Sequence, residues 1–408
     1  MSTTSPDPSA RTWRTPAVVL ACGALILTLA MGTRQSFGLF LTPMVEEFGW
    51  GRSTFAFAMA LSNLLTGIFQ PLFGALADRT GAARVVALSA LLYALGMALM
   101  PGSSTALMLD LSAGLLVGLG LSGTMFGVIL GVIGRAYPPE RRSFALGVAT
   151  AGGSFGQFVM LPLSQWLIAT LGWQGALLAL AATVLVIVPL SVSMVEARPA
   201  VATGPRQSLG EALREAGAEP GFWCLVAGFF VCGFQVAFIQ VHLPAFLVDA
   251  GLPAHVGALA LALIGLFNIA GSFLAGALGG RLSKKRLLAG IYLTRAVVIG
   301  LFLALPMTPL TVYAFAAGIG FLWLGTVPLT NGLVGQIFGV RYLATLFGIV
   351  FLSHQVGSFL GVWMGGWFYD ATGSYQVVWW CAIGLSLVAA LVNLPIDERP
   401  LEARGAPA

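Results

Sequence analysis

Charge is scarce in this chain. Of its 408 residues only 9% are Asp, Glu, Lys or Arg, where an ordinary soluble domain carries about 25%. Apolar residues make up 58%, and the mean hydropathy is +0.92. These values exclude a soluble globular enzyme, a disordered chain and a coiled coil. The apolar runs are long and unbroken rather than short and alternating, which excludes an outer-membrane barrel. Cysteine is scarce as well. Cys22, Cys224, Cys232 and Cys381 all fall inside apolar runs, where reduced, inert thiols are expected rather than disulfides or a metal cluster. Carboxylates are nearly missing from the runs, the one candidate being Asp110 in the first turn of its segment. What remains is an all-α polytopic membrane protein.

Charge and Gly/Pro breaks divide the chain into twelve apolar segments, near 16–43, 53–77, 84–101, 107–134, 143–170, 174–196, 222–247, 255–280, 287–306, 309–337, 343–369 and 376–396. Each is close to or above the roughly 20 residues that cross a bilayer. The first is too long for a signal-peptide core of roughly 7–15 residues. Too few apolar residues precede Cys22 for Val19-Leu20-Ala21-Cys22 to act as a lipoprotein cleavage box. Seventeen of the twenty Lys and Arg lie in the loops and tails of one side. The other side's loops hold Arg52 together with Glu46, Glu47, Asp249 and Asp370. This asymmetry predicts a multi-pass protein of the inner or plasma membrane with both termini cytoplasmic. The basic net charge of +5 is thus a topology signal and not a nucleic-acid footprint.

Shifting the sequence by 202 positions superimposes its halves. Gly74 and Arg79 fall on Gly276 and Arg281, Gly118 on Gly320, Gly123-Thr124 on Gly325-Thr326, and Gly49 on Gly251. Two six-helix halves joined by a linker make a transporter built from repeats, with its substrate site between them near the midplane. The expected organisation is an N-terminal tail (1–15), a first bundle (16–196), a linker with a short surface helix (197–220), a second bundle (221–396) and a C-terminal tail (397–408). The loop after span two reads Gly74-Ala-Leu-Ala-Asp78-Arg79-Thr-Gly81-Ala-Ala-Arg84. It resembles the signature loop of the major facilitator superfamily, with a degenerate copy after span eight in which Gly280 stands in the place of Asp78. The resemblance covers essentially the whole chain. It implies that Asp78 and Arg79 latch the cytoplasmic side in the outward-open state, with Gly74, Gly81 and Arg84 shaping that gating loop. A plain positive-inside turn is the other reading.

Ionisable groups inside a membrane are costly and mark function. Span one carries Arg34 and Gln35, span seven Gln235, Gln240 and His242, span nine Arg295, span ten Thr326, Thr330 and Asn331, and span eleven His354 and Gln355. Fixed positive charge therefore has no acidic counterpart inside the membrane. A bound anion would neutralise it, and a carboxylate suits the guanidinium fork best. Arg34 either snorkels to the surface or faces the central cavity, which the first and seventh helices line in this superfamily. His354, followed by Gly357, Ser358, Gly361 and Gly365, is either a packed interface histidine or a proton carrier and second anion contact. Spans three, six, nine and twelve are peripheral in this architecture, so Arg295 is expected to be structural. Gln235 and His242, seven apart, are expected to share a face on the outer cavity. Trp323, Thr326 and Thr330 form one face of span ten by their three-then-four spacing, an aromatic wall with hydroxyls that suits a small amphipathic anion, unless Trp323 is a lipid or interhelix packer, and the amide of Asn331 demands partners.

Within the superfamily the chain most resembles the monocarboxylate porter and oxalate/formate antiporter grouping, which carries a basic residue in the outer part of span one, as Arg34 does here. It departs from that grouping in span eight, where Gly265 to Ser272 hold no arginine, and it lacks the acidic-glycine signature before span one. The expected function is secondary transport of a small organic anion, a mono- or dicarboxylate, coupled to protons, by a monomer without cofactors. Efflux of varied apolar compounds is the alternative, and a non-transporting ligand sensor ranks below both. No catalytic or metal-ligand constellation and no P-loop appear, so an enzyme or an ATP-driven pump is not expected.

Overall fold

Backbone placed in hydrocarbon must bond to itself, so long apolar runs become helices. The computed structural model describes residues 13–195, 209–339 and 342–401, which hold helices and no strand. Arg11, Arg198, Arg206, Arg341 and Arg404 lie outside the described residues, as do most of both tails and of the linker. The spans are α1 (Pro16–Phe48), α2 (Arg52–Thr80), α3 (Ala82–Gly102), α4 (Ala106–Ala136), α5 (144–171), α6 (173–194), α7 (Pro220–Asp249), α8 (Ala254–Gly279), α9 (Lys284–Ala304), α10 (Pro309–Phe338), α11 (Leu343–Thr372) and α12 (Gln376–Asn393). Helix α5 runs into α6 without a loop. Gly172, at φ 71° and ψ 168°, turns the chain between them. A short helix, Leu209–Ala218, precedes α7. Local chemistry sets several boundaries. Thr15, Thr105, Ser283 and Thr308 cap the starts of α1, α4, α9 and α10 through their hydroxyls, and left-handed Gly49 and Gly373 end α1 and α11.

The two halves are built alike. Helix α1 packs along α5, and α7 packs along α11, which are equivalent pairs at the 202-residue offset. Glycine permits both approaches. A Cβ on Gly156 would overlap the Thr28 carbonyl, and one on Gly357 would overlap the Phe230 carbonyl. Between the halves, α2 lies against α11 and α5 against α8. The result is two pseudo-symmetric six-helix bundles.

Contacts between the halves concentrate on the acidic side. Arg52, at the start of α2, grips Asp249 at the end of α7 with two bonds of 2.7 Å. Its Nη1 also donates to the Tyr375 hydroxyl at 2.8 Å, and its guanidinium lies 3.7 Å over the Tyr369 ring. Asp370 of α11 accepts from the backbone N–H groups of Arg52 and Ser53 at 2.8 and 2.9 Å, so it caps α2 across the domain boundary. Beneath this clamp lies fully buried His242. Its Nε2 is 2.8 Å from the Val362 carbonyl, an obligate acceptor, so Nε2 carries the proton and Nδ1 accepts from Tyr375 at 3.3 Å. Burial raises the Tyr375 phenol above its ordinary range, which keeps that donor protonated. Deeper links are Gln157 to the Leu261 carbonyl at 2.8 Å and Asn268 to Ser154 at 2.9 Å. Among the described residues, no hydrogen bond or ion pair joins the halves at the basic end.

Two outcomes check this packing. Gly357→Ala should destabilise the protein by about 1–3 kcal/mol through overpacking. Gly348→Ala, on the same helix with open space around it, should not, as thermal unfolding in detergent will show. Arg52→Ala leaves Asp249 without its partner, at a cost of up to about 3 kcal/mol. It should speed hydrogen exchange over 246–252 and 369–375, and unchanged exchange would mean that the clamp does not hold the acidic side shut.

Candidate functional site

Two helices are broken at equivalent places. Helix α4 is interrupted at Met125, φ −90° and ψ −170°, between Thr124 and Phe126. Helix α10 is interrupted between Phe321 and Thr326. The repeated Gly123-Thr124 and Gly325-Thr326 lie at these breaks, so the recurring pair marks where each half gives up its helix. Broken spans free backbone groups at midplane, and such groups survive only where something bonds them.

In α10 two side chains supply those bonds. Arg295 of α9 donates through Nη2 to the Leu322 carbonyl at 2.7 Å and also to the Trp323 carbonyl. Asn268 of α8 accepts from the Leu324 N–H at 3.0 Å. Arg295 further donates to Gln235 Oε1 at 3.3 Å, and Gln235 donates in turn to the Ala382 carbonyl at 2.7 Å and to Ser386 of α12. The Cys232 sulfur lies 3.3 Å from Thr326 Oγ1 and 3.8 Å from Arg295. Arg295 thus has the structural surroundings expected of it. Gln235 is bound within this network and does not share a site with His242, which is held under the clamp. The break also removes the premise that Trp323 shares a helical face with Thr326 and Thr330. Trp323 is buried with its Nε1 unpartnered, Thr326 and Thr330 are buried, and Asn331 is half-buried with Oδ1 unpartnered.

Arg34 has different neighbours. Its side chain is half-buried near the end of the α-helical part of α1 (Pro16–Gln35), before a 3₁₀ turn at Phe37–Phe40. Nη2 donates to Asn63 Oδ1 of α2, and among the described residues no carboxylate pairs with it. The Asn63 carbonyl accepts from Gln355 Nε2 of α11 at 2.8 Å. Gln355 Oε1 lies 3.1 Å from His354 Nδ1, and this acceptor places the proton on Nδ1. The His354 ring packs between Phe229 and Phe351, with centroids 5.1 and 5.6 Å away. Arg34 and His354, which stand on opposite halves, are therefore joined through Asn63 and Gln355. Gln35 enters through its backbone, its carbonyl accepting from Gln240 of α7. Asn63, Gln157 and Asn268 carry the crossing contacts, and sequence inspection passed over their roles. Their only signal is a lone amide inside an apolar run.

At the basic end lies the loop expected to gate. A Cβ on Gly74 would meet open space, and Gly81 adopts φ 99°. Arg79 and Arg84 are exposed. Asp78 is largely exposed and lies 3.7 Å from Arg135 of α4, within its own half.

Known proteins share this architecture. A solved bacterial homologue of the human lysosomal transporter Spinster, in an inward-facing and occupied conformation, superimposes with a TM-score of 0.77 at 16% identity, covering 96% of this chain and 99% of that one. An uncharacterized MFS-type transporter, YcxA of Bacillus subtilis, is 28% identical over 90% of this chain and 91% of its own. Monocarboxylate transporter 13 of Rattus norvegicus is 28% identical, with 90% and 86% covered. Monocarboxylate transporter 11 of Homo sapiens is 28% identical, with 93% and 83% covered. The family model of the Major Facilitator Superfamily matches residues 23–341. The chain is a multi-pass membrane transporter and belongs to the major facilitator superfamily.

Proposed function

We propose that this transporter carries a small organic anion, a mono- or dicarboxylate, in exchange with or together with protons. The observation that supports this reading is the state of its two membrane arginines. Arg295 spends Nη1 and Nη2 on the Gln235 amide oxygen and the carbonyl ends of a broken helix. Among the described residues Arg34 has an amide oxygen, that of Asn63, as its acceptor, and its side chain is half-buried. A planar, permanently charged fork in that state is suited to a carboxylate. The unpartnered Trp323 Nε1 and Asn331 Oδ1 offer further polar contacts, and Thr326 and Gln35 support the helices around them. The similarity to proteins named monocarboxylate transporters points the same way.

In the proposed cycle the form described here is open towards the basic side, which the charge asymmetry assigns to the cytoplasm, with both termini there. An anion enters and competes with Asn63 for Arg34. That competition loosens the Asn63–Gln355 link and alters the environment of His354, the proposed proton carrier. Opening the acidic side then requires release of Arg52 from Asp249 and Asp370. Closure of the basic side would engage Asp78 and Arg79, with Gly74, Gly81 and Arg84 shaping the loop. A single chain of the plasma or inner membrane contains all these parts.

The test is uptake of radiolabelled lactate and succinate into proteoliposomes. A charge-assisted hydrogen bond contributes about 1.5–3 kcal/mol, so Arg34→Gln should reduce uptake by roughly 10–100-fold, with Arg34→Lys intermediate. Uptake that is indifferent to Arg34→Gln, or transport of apolar cations instead, would replace the anion reading with efflux of apolar compounds. His354→Gln should abolish stimulation by an imposed pH gradient while leaving anion exchange at equal pH. A variant that still responds to the gradient removes His354 as the carrier.

A further inference from the structure

The lateral grooves between the halves come as a related pair, one along α2 and α11 and the other along α5 and α8. Each contains a cavity towards the acidic side. The α2/α11 cavity measures about 280 Å³ and is lined by Ser53, Thr54, Phe57, Asp110, Trp363 and Trp367. The α5/α8 cavity measures about 510 Å³ and includes Gln165, Trp166, His255 and Leu259. The 202-residue offset carries Ser53 onto His255, Phe57 onto Leu259 and Gln165 onto Trp367. The grooves are therefore a product of the architecture, whereas their chemistry is not. Asp110 maps onto Val312, and the α5/α8 cavity holds no carboxylate.

Asp110 is the feature that packing leaves unexplained. Its Oδ1 is buried without a hydrogen-bond partner, and no Lys or Arg pairs with it among the described residues. It opens a π-helical stretch, Asp110–Leu116, a distortion often found at binding sites. Facing it across the domain boundary are Trp363 and Trp367, 37% and 51% exposed. Phe57 extends the aromatic wall by packing on Phe359, which packs on Trp363, each pair with centroids 6.0 Å apart. A carboxylate that lines one open cavity with aromatic rings is the chemistry that recognises an organic ammonium.

We infer that this cavity binds an ammonium group, and that its source is the headgroup of a phospholipid in the leaflet on the acidic side. Asp110 lies about 6 Å from the start of α4, and Trp367 and Trp363 lie about 8 and 14 Å from the end of α11, levels that run from the headgroups to their border with the hydrocarbon. The groove opens laterally, where Trp363 and Trp367 are exposed. The acid and hydroxyls come from one half and the tryptophans from the other, so an occupant bridges α2, α4 and α11. It therefore favours the form closed at the acidic side. This inference does not depend on what is transported through the centre.

Hydrogen exchange on the full-length protein in nanodiscs tests it. The discs share one phosphatidylglycerol content and are completed with either phosphatidylethanolamine or a neutral glucosyl diacylglycerol. Phosphatidylethanolamine should slow exchange over 52–59, 106–112 and 361–370 by about threefold or more, and Asp110→Asn and Trp363→Leu should each abolish that protection. Protection by millimolar tetramethylammonium chloride, but not by sodium chloride or phosphatidylethanolamine, would make a soluble ammonium the occupant. Equal exchange in both lipids with no tetramethylammonium effect overturns the site, as does undiminished protection in Asp110→Asn.

Discussion

The clamp at Arg52 is the contact on which the observed form depends. Elsewhere the halves meet through glycine-lined helix faces and a few amide bonds, which permit sliding. At Arg52 a single guanidinium engages Asp249, Tyr375 and the Tyr369 ring, while Asp370 caps the helix that carries it. A partly buried charged pair is strong while its geometry holds and is readily replaced by water once it does not. Apolar burial of equal strength would lack that reversibility, because the same surface would then have to be exposed in the open form. Concentrating closure in one charged residue suits a protein that must release the contact repeatedly. It also explains a basic residue on a side otherwise left to acids.

The broken helices give the two membrane arginines different jobs. Breaking α10 exposes carbonyls that would be costly in hydrocarbon, and Arg295 meets them with donors from α9. Among the described residues, no such cation bonds to the equivalent break in α4. Its Met125 N–H bonds back to the Leu121 carbonyl, and the turn closes locally. Two donor nitrogens of Arg295 are thus engaged by the fold, whereas among the described residues Arg34 donates to a single amide oxygen. This contrast is what directs the anion reading to α1, even though the two arginines look alike in the sequence.

Much of this was legible before any coordinates. Hydropathy located the spans, because hydrocarbon leaves a chain few alternatives to helix. The constant offset disclosed the two halves, and the sparse loop charges, Arg52, Asp249 and Asp370 among them, served as an orientation signal without disclosing a clamp. What could not be read was which neighbour each buried polar group had chosen. Gln235 and His242 share a helical face by spacing, yet one bonds towards α12 and the other sits under the clamp, because different helices pack over the two levels of α7. The spacing of Trp323, Thr326 and Thr330 presumed an unbroken helix, and hydropathy is blind to a break whose residues stay apolar. Asn63 and Asn268 are each a single amide in an apolar run. An amide in an apolar run is an obligation to find a partner, and the sequence does not say which.

Those amides bear directly on how the halves would be coupled. Asn63 uses its side chain towards Arg34 within its own half and its backbone carbonyl towards Gln355 in the other. In the proposed cycle, an anion on Arg34 competes for the first bond and perturbs the second, which lies on the α2/α11 seam that must part when the acidic side opens. Gln355 in turn orients His354 through Nδ1, so parting that seam would free the Gln355 amide that sits beside the imidazole. Substrate, seam and proton carrier are then linked by three consecutive polar contacts. Since the seam must open for the acidic side to open, occupancy of Arg34 and the protonation of His354 would be felt by the same conformational step.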